Sequence, residues 1–177
     1  MKARILVWLV ALFCCHNVLF AQKEFVNASA RLSGHPRILL QKGEEKALKK
    51  VIMKDAVWKD IHQSLVDEAG EIVKLPLNER IKTGRRLLSV SRENLRRIFI
   101  LSYAYRMTGK NEFLKRAESE MLKAASFSDW NPSHFLDVGE MTMALAIGYD
   151  WLYPQLSVQT KNCLLYTSPS PRDRTRS

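Results

Sequence analysis

The sequence predicts an all-α protein. Apolar residues recur at three-, four- and seven-residue steps through most of the chain, and no segment alternates convincingly with period two. Pro36, Pro76, Pro132 and Pro154 fall between the periodic runs, where they punctuate helices.

The first run opens near Glu44. Leu48, Val51, Ile52, Trp58, Ile61 and Leu65 share a helical stripe that slips near Asp55. The pattern fits one long or two short amphipathic helices ending by Gly70. Ser91 is a candidate N-cap for a helix reaching about Met107, and Gly109 is a good stop. Asn111 is a candidate cap for the next helix. Leu114, Ala117, Met121, Leu122 and Ala125 form its expected buried side, with Lys115, Glu118 and Glu120 expected in water. These two helices, joined across Met107–Lys110, should form a hairpin. Ser133–Tyr153 is the most apolar run, with little polar surface, and should be buried on several sides. Ser157 opens a further helix over Val158–Asn162, which the segment after it is expected to interrupt.

The two ends read differently. Lys2 and Arg4 precede an apolar run from Ile5 to Phe13, continued by Val18–Phe20, and Ala21 suits a cleavage point. Residues 1–21 are therefore expected to be a signal peptide, and 22–34 a polar leader. The apolar run falls short of the roughly 20 residues of a spanning helix. The expected location is secreted or periplasmic, with no membrane span after cleavage. Residues 163–177 resemble one reading frame of a transposase adapter used to prepare DNA sequencing libraries, and are expected not to be native. The formal net charge is +10, of which residues 1–21 and residues 163–177 carry +2 each. The remaining excess suits an anionic partner. Lys and Arg are spread along the chain without a basic block, which argues against a nucleic-acid arm. Cys14 and Cys15 would leave with the signal peptide, so no disulfide framework is expected.

Three stretches carry a family resemblance. They are His35-Pro-Arg-Ile-Leu-Leu40, Ala104-Tyr-Arg-Met-Thr-Gly109, and Asp129-Trp-Asn-Pro-Ser-His-Phe-Leu-Asp137 running on to Ala146-Ile-Gly-Tyr-Asp-Trp-Leu-Tyr153. Together they resemble the N-terminal half of a heparinase II/III-like polysaccharide lyase, over residues 35–162. The resemblance implies an incomplete α/α toroid of helical hairpins, followed in the family by a β-sandwich that this sequence lacks. It also implies β-elimination on uronic-acid polysaccharides of heparin-like or alginate-like type. That reaction needs a neutralised uronate carboxylate, a base for the C5 proton and an acid for the leaving oxygen. The family's groups for these steps lie on later helices and in the sandwich. Catalytic residues are thus expected downstream of residue 162.

Within the chain, His134, Asn131 and Trp130 are the candidate substrate-binding residues. An amide and an imidazole at a helix N-terminus suit an anion, and an indole suits a sugar ring. Asn131-Pro132-Ser133 is equally a good turn and cap. His134, Asp137 and Glu140 stand three apart and drift round the helix, so no metal site is expected, and Glu140 suits a bond to a neighbouring helix. No cofactor is evident. No phosphate loop, zinc spacing or nucleophile elbow occurs. Two other readings fit the helical pattern. One is a non-catalytic helical-repeat scaffold that binds protein, the other a glycan-binding or hydrolase relative on the same toroid.

Overall fold

A computed structural model describes residues 34–167. The expected signal peptide, nearly all of the leader, and the last ten residues of the adapter-like segment lie outside the described residues. Within them the chain is all-helical: α1 (Glu45–Lys54), α2 (Ala56–Lys74), α3 (Leu88–Thr108), α4 (Asn111–Ala125), α5 (Phe135–Leu152) and α6 (Val158–Thr167).

The slip near Asp55 is a real break. Asp55 takes an extended conformation, and its carboxylate accepts from the Val57 and Trp58 amides at 2.9 and 3.2 Å, capping α2. That helix runs past Gly70 to Lys74, one turn further than expected.

The centre of the fold is α3, which packs on α5, α4, α2 and α1. It does not start at Ser91. Ser91 is fully buried one turn inside, and the helix begins at Leu88. The cap comes from elsewhere in the chain, because the Leu87 amide donates to Asp137 of α5 at 2.7 Å. The other end is as expected. Gly109 adopts φ +73°, a region that favours glycine, and its amide returns to Tyr105 O at 2.7 Å. Gly109 and Lys110 alone separate α3 from α4, and the two helices pack as a hairpin.

In α4 the buried stripe is Phe113, Ala117, Glu120, Met121, Ala124 and Ala125. Glu120 is the correction here: it is fully buried, not in water. Its Oε1 accepts from Arg97 at 3.0 Å and from Arg116 at 2.7 Å, and the Asn78 amide approaches Oε2 at 3.3 Å. A carboxylate tolerates burial only when its charge is matched in this way.

Helix α5 is covered on one side rather than on several. Met141, Ala144, Leu145, Ile147, Gly148, Trp151 and Leu152 are buried, while Phe135, Leu136 and Met143 are 69%, 49% and 51% exposed. Ser157 caps α6 as expected, accepting from the Thr160 amide at 3.0 Å. That helix is not interrupted after Asn162. It continues to Thr167 because Leu156, Thr160 and Leu164, four apart, all find buried positions, and α6 packs on α4 and α5.

Candidate functional site

Two polar centres sit at opposite ends of α5, whose 18 residues span roughly 27 Å.

The first lies at its N-terminus. The preceding loop is fastened at both sides. Trp130 is 4% exposed and its indole N–H donates to Ala124 O at 3.0 Å. Arg80 holds Asp129 by its carbonyl at 3.0 Å and its carboxylate at 2.7 Å. Trp130 therefore anchors the loop on the end of α4 and has no open face for a sugar ring.

Asn131 then adopts φ +60°, a left-handed conformation that asparagine tolerates better than most residues. Its amide nitrogen donates to Arg85 O at 2.9 Å and to Asp137 Oδ2 at 2.7 Å. Its oxygen accepts from Ser133 Oγ at 3.3 Å and from Lys82 Nζ at 3.4 Å. With 3% of its surface exposed, Asn131 organises the loop, and its donors are spent inside it.

Asp137 is the fixed point beneath. It is fully buried, and Oδ2 accepts from both Leu87 N and Asn131 Nδ2 at 2.7 Å. Arg86 NH1 stands 3.9 Å from Oδ1. Burial pushes this carboxyl up. The Asn131 amide, the Leu87 N–H and the nearby Arg86 outweigh that and hold it below the ordinary carboxylate range. Asp129 is likewise held low, because the Arg80 bond overcomes its burial.

His134 is half-buried at the first turn of α5. Its Nδ1 lies 3.0 Å from Ser133 Oγ and 3.3 Å from Asn131 Nδ2. Both hydrogens of that amide are already donated to Arg85 O and Asp137 Oδ2, so the Ser133 hydroxyl is the ring's hydrogen-bond partner in this loop.

Facing this loop is the Lys82–Arg86 turn. Thr83 and Arg86 pair through both backbone bonds, at 2.9 and 3.2 Å, with Gly84 at φ +61°. The turn exposes Lys82, Arg85 and Arg86, and the Arg85 carbonyl ties it to Asn131. The signal in the sequence was Lys82-Thr-Gly-Arg-Arg86 itself, a glycine turn flanked by three cations. Glu140 contributes nothing to this mouth. It pairs with Arg92 of α3 at 3.0 Å, as its position suggested.

The second centre lies near the C-terminus of α5. Asp150, 4% exposed, accepts from His35 Nδ1 at 2.5 Å, Arg37 N at 2.8 Å and Ile38 N at 3.0 Å. Arg37 NH2 meets His35 Nε2 at 2.9 Å, and the His35 ring stacks on Tyr153 at 4.1 Å. Trp151 Nε1 donates to Ile38 O at 2.9 Å. Arg106 of α3 binds Leu40 O, Gln41 O and Glu45, and stacks over Trp151. The entry segment is thus bolted to α3 and α5. An adjoining cleft of about 420 Å³ is lined by residues that include His35, Lys42, Tyr105 and Gln155.

Among the described residues, no group of three or more His, Cys, Asp or Glu side chains could hold a metal ion, and no helix is long and apolar enough to cross a membrane. No protein-family model matches the chain, and no curated protein matches it.

Proposed function

We propose that this chain is the N-terminal part of an exported polysaccharide lyase of the heparinase II/III-like kind. Its hairpins would open an incomplete α/α toroid, and the α5 mouth would form part of the wall of an acidic-polysaccharide cleft. The observation that carries the reading is the cationic turn braced on that mouth. Lys82, Arg85 and Arg86 are exposed around a loop whose own acids, Asp129 and Asp137, are already committed to internal partners. The local field is therefore positive, and a uronate carboxylate would meet Lys82, the guanidinium groups and the His134 ring. Holding that carboxylate's charge is what acidifies the C5 proton in β-elimination.

The roles divide differently from the initial expectation. His134 would face the substrate. Asn131 positions His134, and Trp130 anchors the loop. The base and acid of the reaction would come from beyond residue 162. Without them the chain should bind substrate and not cleave it, since each absent group costs orders of magnitude in rate.

The test has two readings. The chain should bind heparin-like, chondroitin-like or alginate-like polymers more weakly as salt rises. Lys82→Ala with Arg85→Ala should weaken binding about tenfold or more, as loss of charge-assisted contacts does. Absorbance of the unsaturated uronate should not rise with this chain alone. Unchanged binding by the double variant would sink the assignment of the site. An absorbance rise abolished by His134→Ala would move the catalytic centre into these residues.

A further inference from the structure

The corner between α1 and α2 exposes more apolar surface than its position requires. A single residue, Asp55, joins the helices. Around it Met53 is 84% exposed, Val57 67%, Trp58 47%, Ile61 47% and Val51 43%. Trp58 and Ile61 continue the stripe that buries Ala69 and Ile72 further along α2, yet near the corner that stripe is open. Scattered exposed apolar residues need no explanation, but Val57, Trp58 and Ile61, three and four apart, share one face of α2 beside the corner and form a patch.

Lysines flank the patch along both helices. Lys46, Lys49, Lys50, Lys54 and Lys59 are all exposed. The ion-paired lysines among the described residues are Lys74 and Lys123, so none of these five is neutralised by a partner. Of the two acids in the same stretch, Asp55 is engaged with the Val57 and Trp58 amides, which leaves Asp60. The His62 ring, one turn from Trp58, is held by Tyr103 at 2.9 Å, and burial pushes the Tyr103 hydroxyl up, so it adds no negative charge.

We propose that this corner docks on an anionic lipid surface. Aliphatic side chains and an indole enter the headgroup boundary, while flanking lysines lay their stems along it and keep their ammonium groups at the phosphates. An acidic polysaccharide would use the lysines and gain nothing from Met53, Val57 and Ile61, which offer no hydrogen bonds to a hydrated chain. The inference does not depend on the lyase reading. Were both correct, the α5 mouth would work at a membrane face.

The test must be local, because the apolar run near residue 5 could carry the whole chain to vesicles. Hydroxyl-radical footprinting of the full chain reads Met53 and Trp58 directly, with Met143 on α5 as an internal reference. Phosphatidylglycerol vesicles should reduce labelling of Met53 and Trp58 by about threefold or more, as burial in the interface predicts. Phosphatidylcholine vesicles should not. Lys50→Glu, Lys54→Glu and Lys59→Glu together should abolish the protection, with the helical circular-dichroism signal retained. No protection by the anionic vesicles overturns the proposal, as does equal protection by neutral ones or protection that survives the triple change. Protection by a heparin-like or alginate-like polymer without lipid would make the corner a polysaccharide surface instead.

Discussion

Gly148 and Gly139 lie on the same helix and should respond oppositely to the same substitution. A Cβ added at Gly148 would stand 2.5 Å from Met121 Sδ and 2.6 Å from Ile98 Cγ2, well inside contact distance. Both neighbours are fully buried, and Ile98 is β-branched, so its side chain has little freedom to turn away within α3. Forcing a methyl into such a core costs about 1–3 kcal/mol. Against this, alanine gains about 1 kcal/mol over glycine in a helix interior. The result for Gly148→Ala is a net loss of up to about 2 kcal/mol. A Cβ at Gly139 meets nothing within 4 Å, so Gly139→Ala keeps the propensity gain alone. The difference between the two variants cancels propensity and isolates the steric cost, about 1–3 kcal/mol. Urea unfolding followed by circular dichroism measures it. In thermal scans each kcal/mol corresponds to roughly 2–4 °C for a chain of this size. Should Gly148→Ala prove as stable as Gly139→Ala, the close approach of α3, α4 and α5 at this glycine is wrong.

Two further outcomes follow from the buried charges. Glu120→Ala leaves Arg97 paired with Glu93 alone and Arg116 with backbone carbonyls alone, the two guanidinium groups being 9% and 11% exposed, and should cost about 1–3 kcal/mol in urea unfolding. A loss below about 1 kcal/mol would mean that these arginines reach water. Asp137 and Asp129 are held below their ordinary range in the fold, so between the folded and unfolded values the unfolded chain binds more protons. Their stabilisation is present above about pH 4 and is lost as pH falls through the lower folded values. Urea midpoints from pH 3 to 7 should rise with pH, and Asp137→Asn should flatten the rise. An unchanged slope in that variant would remove Asp137 from the account.

Local signals in the sequence locate the helices well where the cap is local. Asp55, Gly109 and Ser157 each act through a backbone group within four residues, and each stands where the pattern placed it. Asn111 is a local miss: it is the first residue of α4, Lys110 holds the cap position, and no side chain caps that end. The other misses share a cause. The start of α3 is set by Asp137, fifty positions away, so Ser91 looked like the better cap. Glu120 read as solvent-facing because a carboxylate is costly to bury, and its match, Arg97, comes from another helix. Trp130 read as a sugar platform because it interrupts a polar loop. Its burial depends on a carbonyl freed at the end of α4, Ala124 O, which period and propensity do not reveal. Of the candidate site, His134 was legible as a polar group at a helix start. The cationic turn opposite it was not, because only the Asn131–Arg85 bond brings the two segments together.

The buried aspartates of α5 explain why its two ends are built so differently. Asp137 lies in the first turn, where the helix dipole favours an anion, and two N–H donors with a distant guanidinium suffice. Asp150 lies in the last turn, where carbonyl oxygens crowd and an anion is disfavoured. Its charge therefore has to be met from outside the helix, and the His35 ring with the Arg37 and Ile38 amides meets it. This turns the three stretches of family resemblance into parts of one mechanical unit. His35–Leu40 supplies the donors, and the end of α5 supplies Asp150 and Trp151. Arg106, from Ala104–Gly109, crosses both by binding Leu40 O and stacking on Trp151. Asp129–Asp137 fastens the other end of the same helix. The residues that suggested a family are thus chiefly those that hold α5 against α3. The chemistry proposed for the site rests on His134, which lies within the third of those stretches, and on the cations of the facing turn, which lie outside all three.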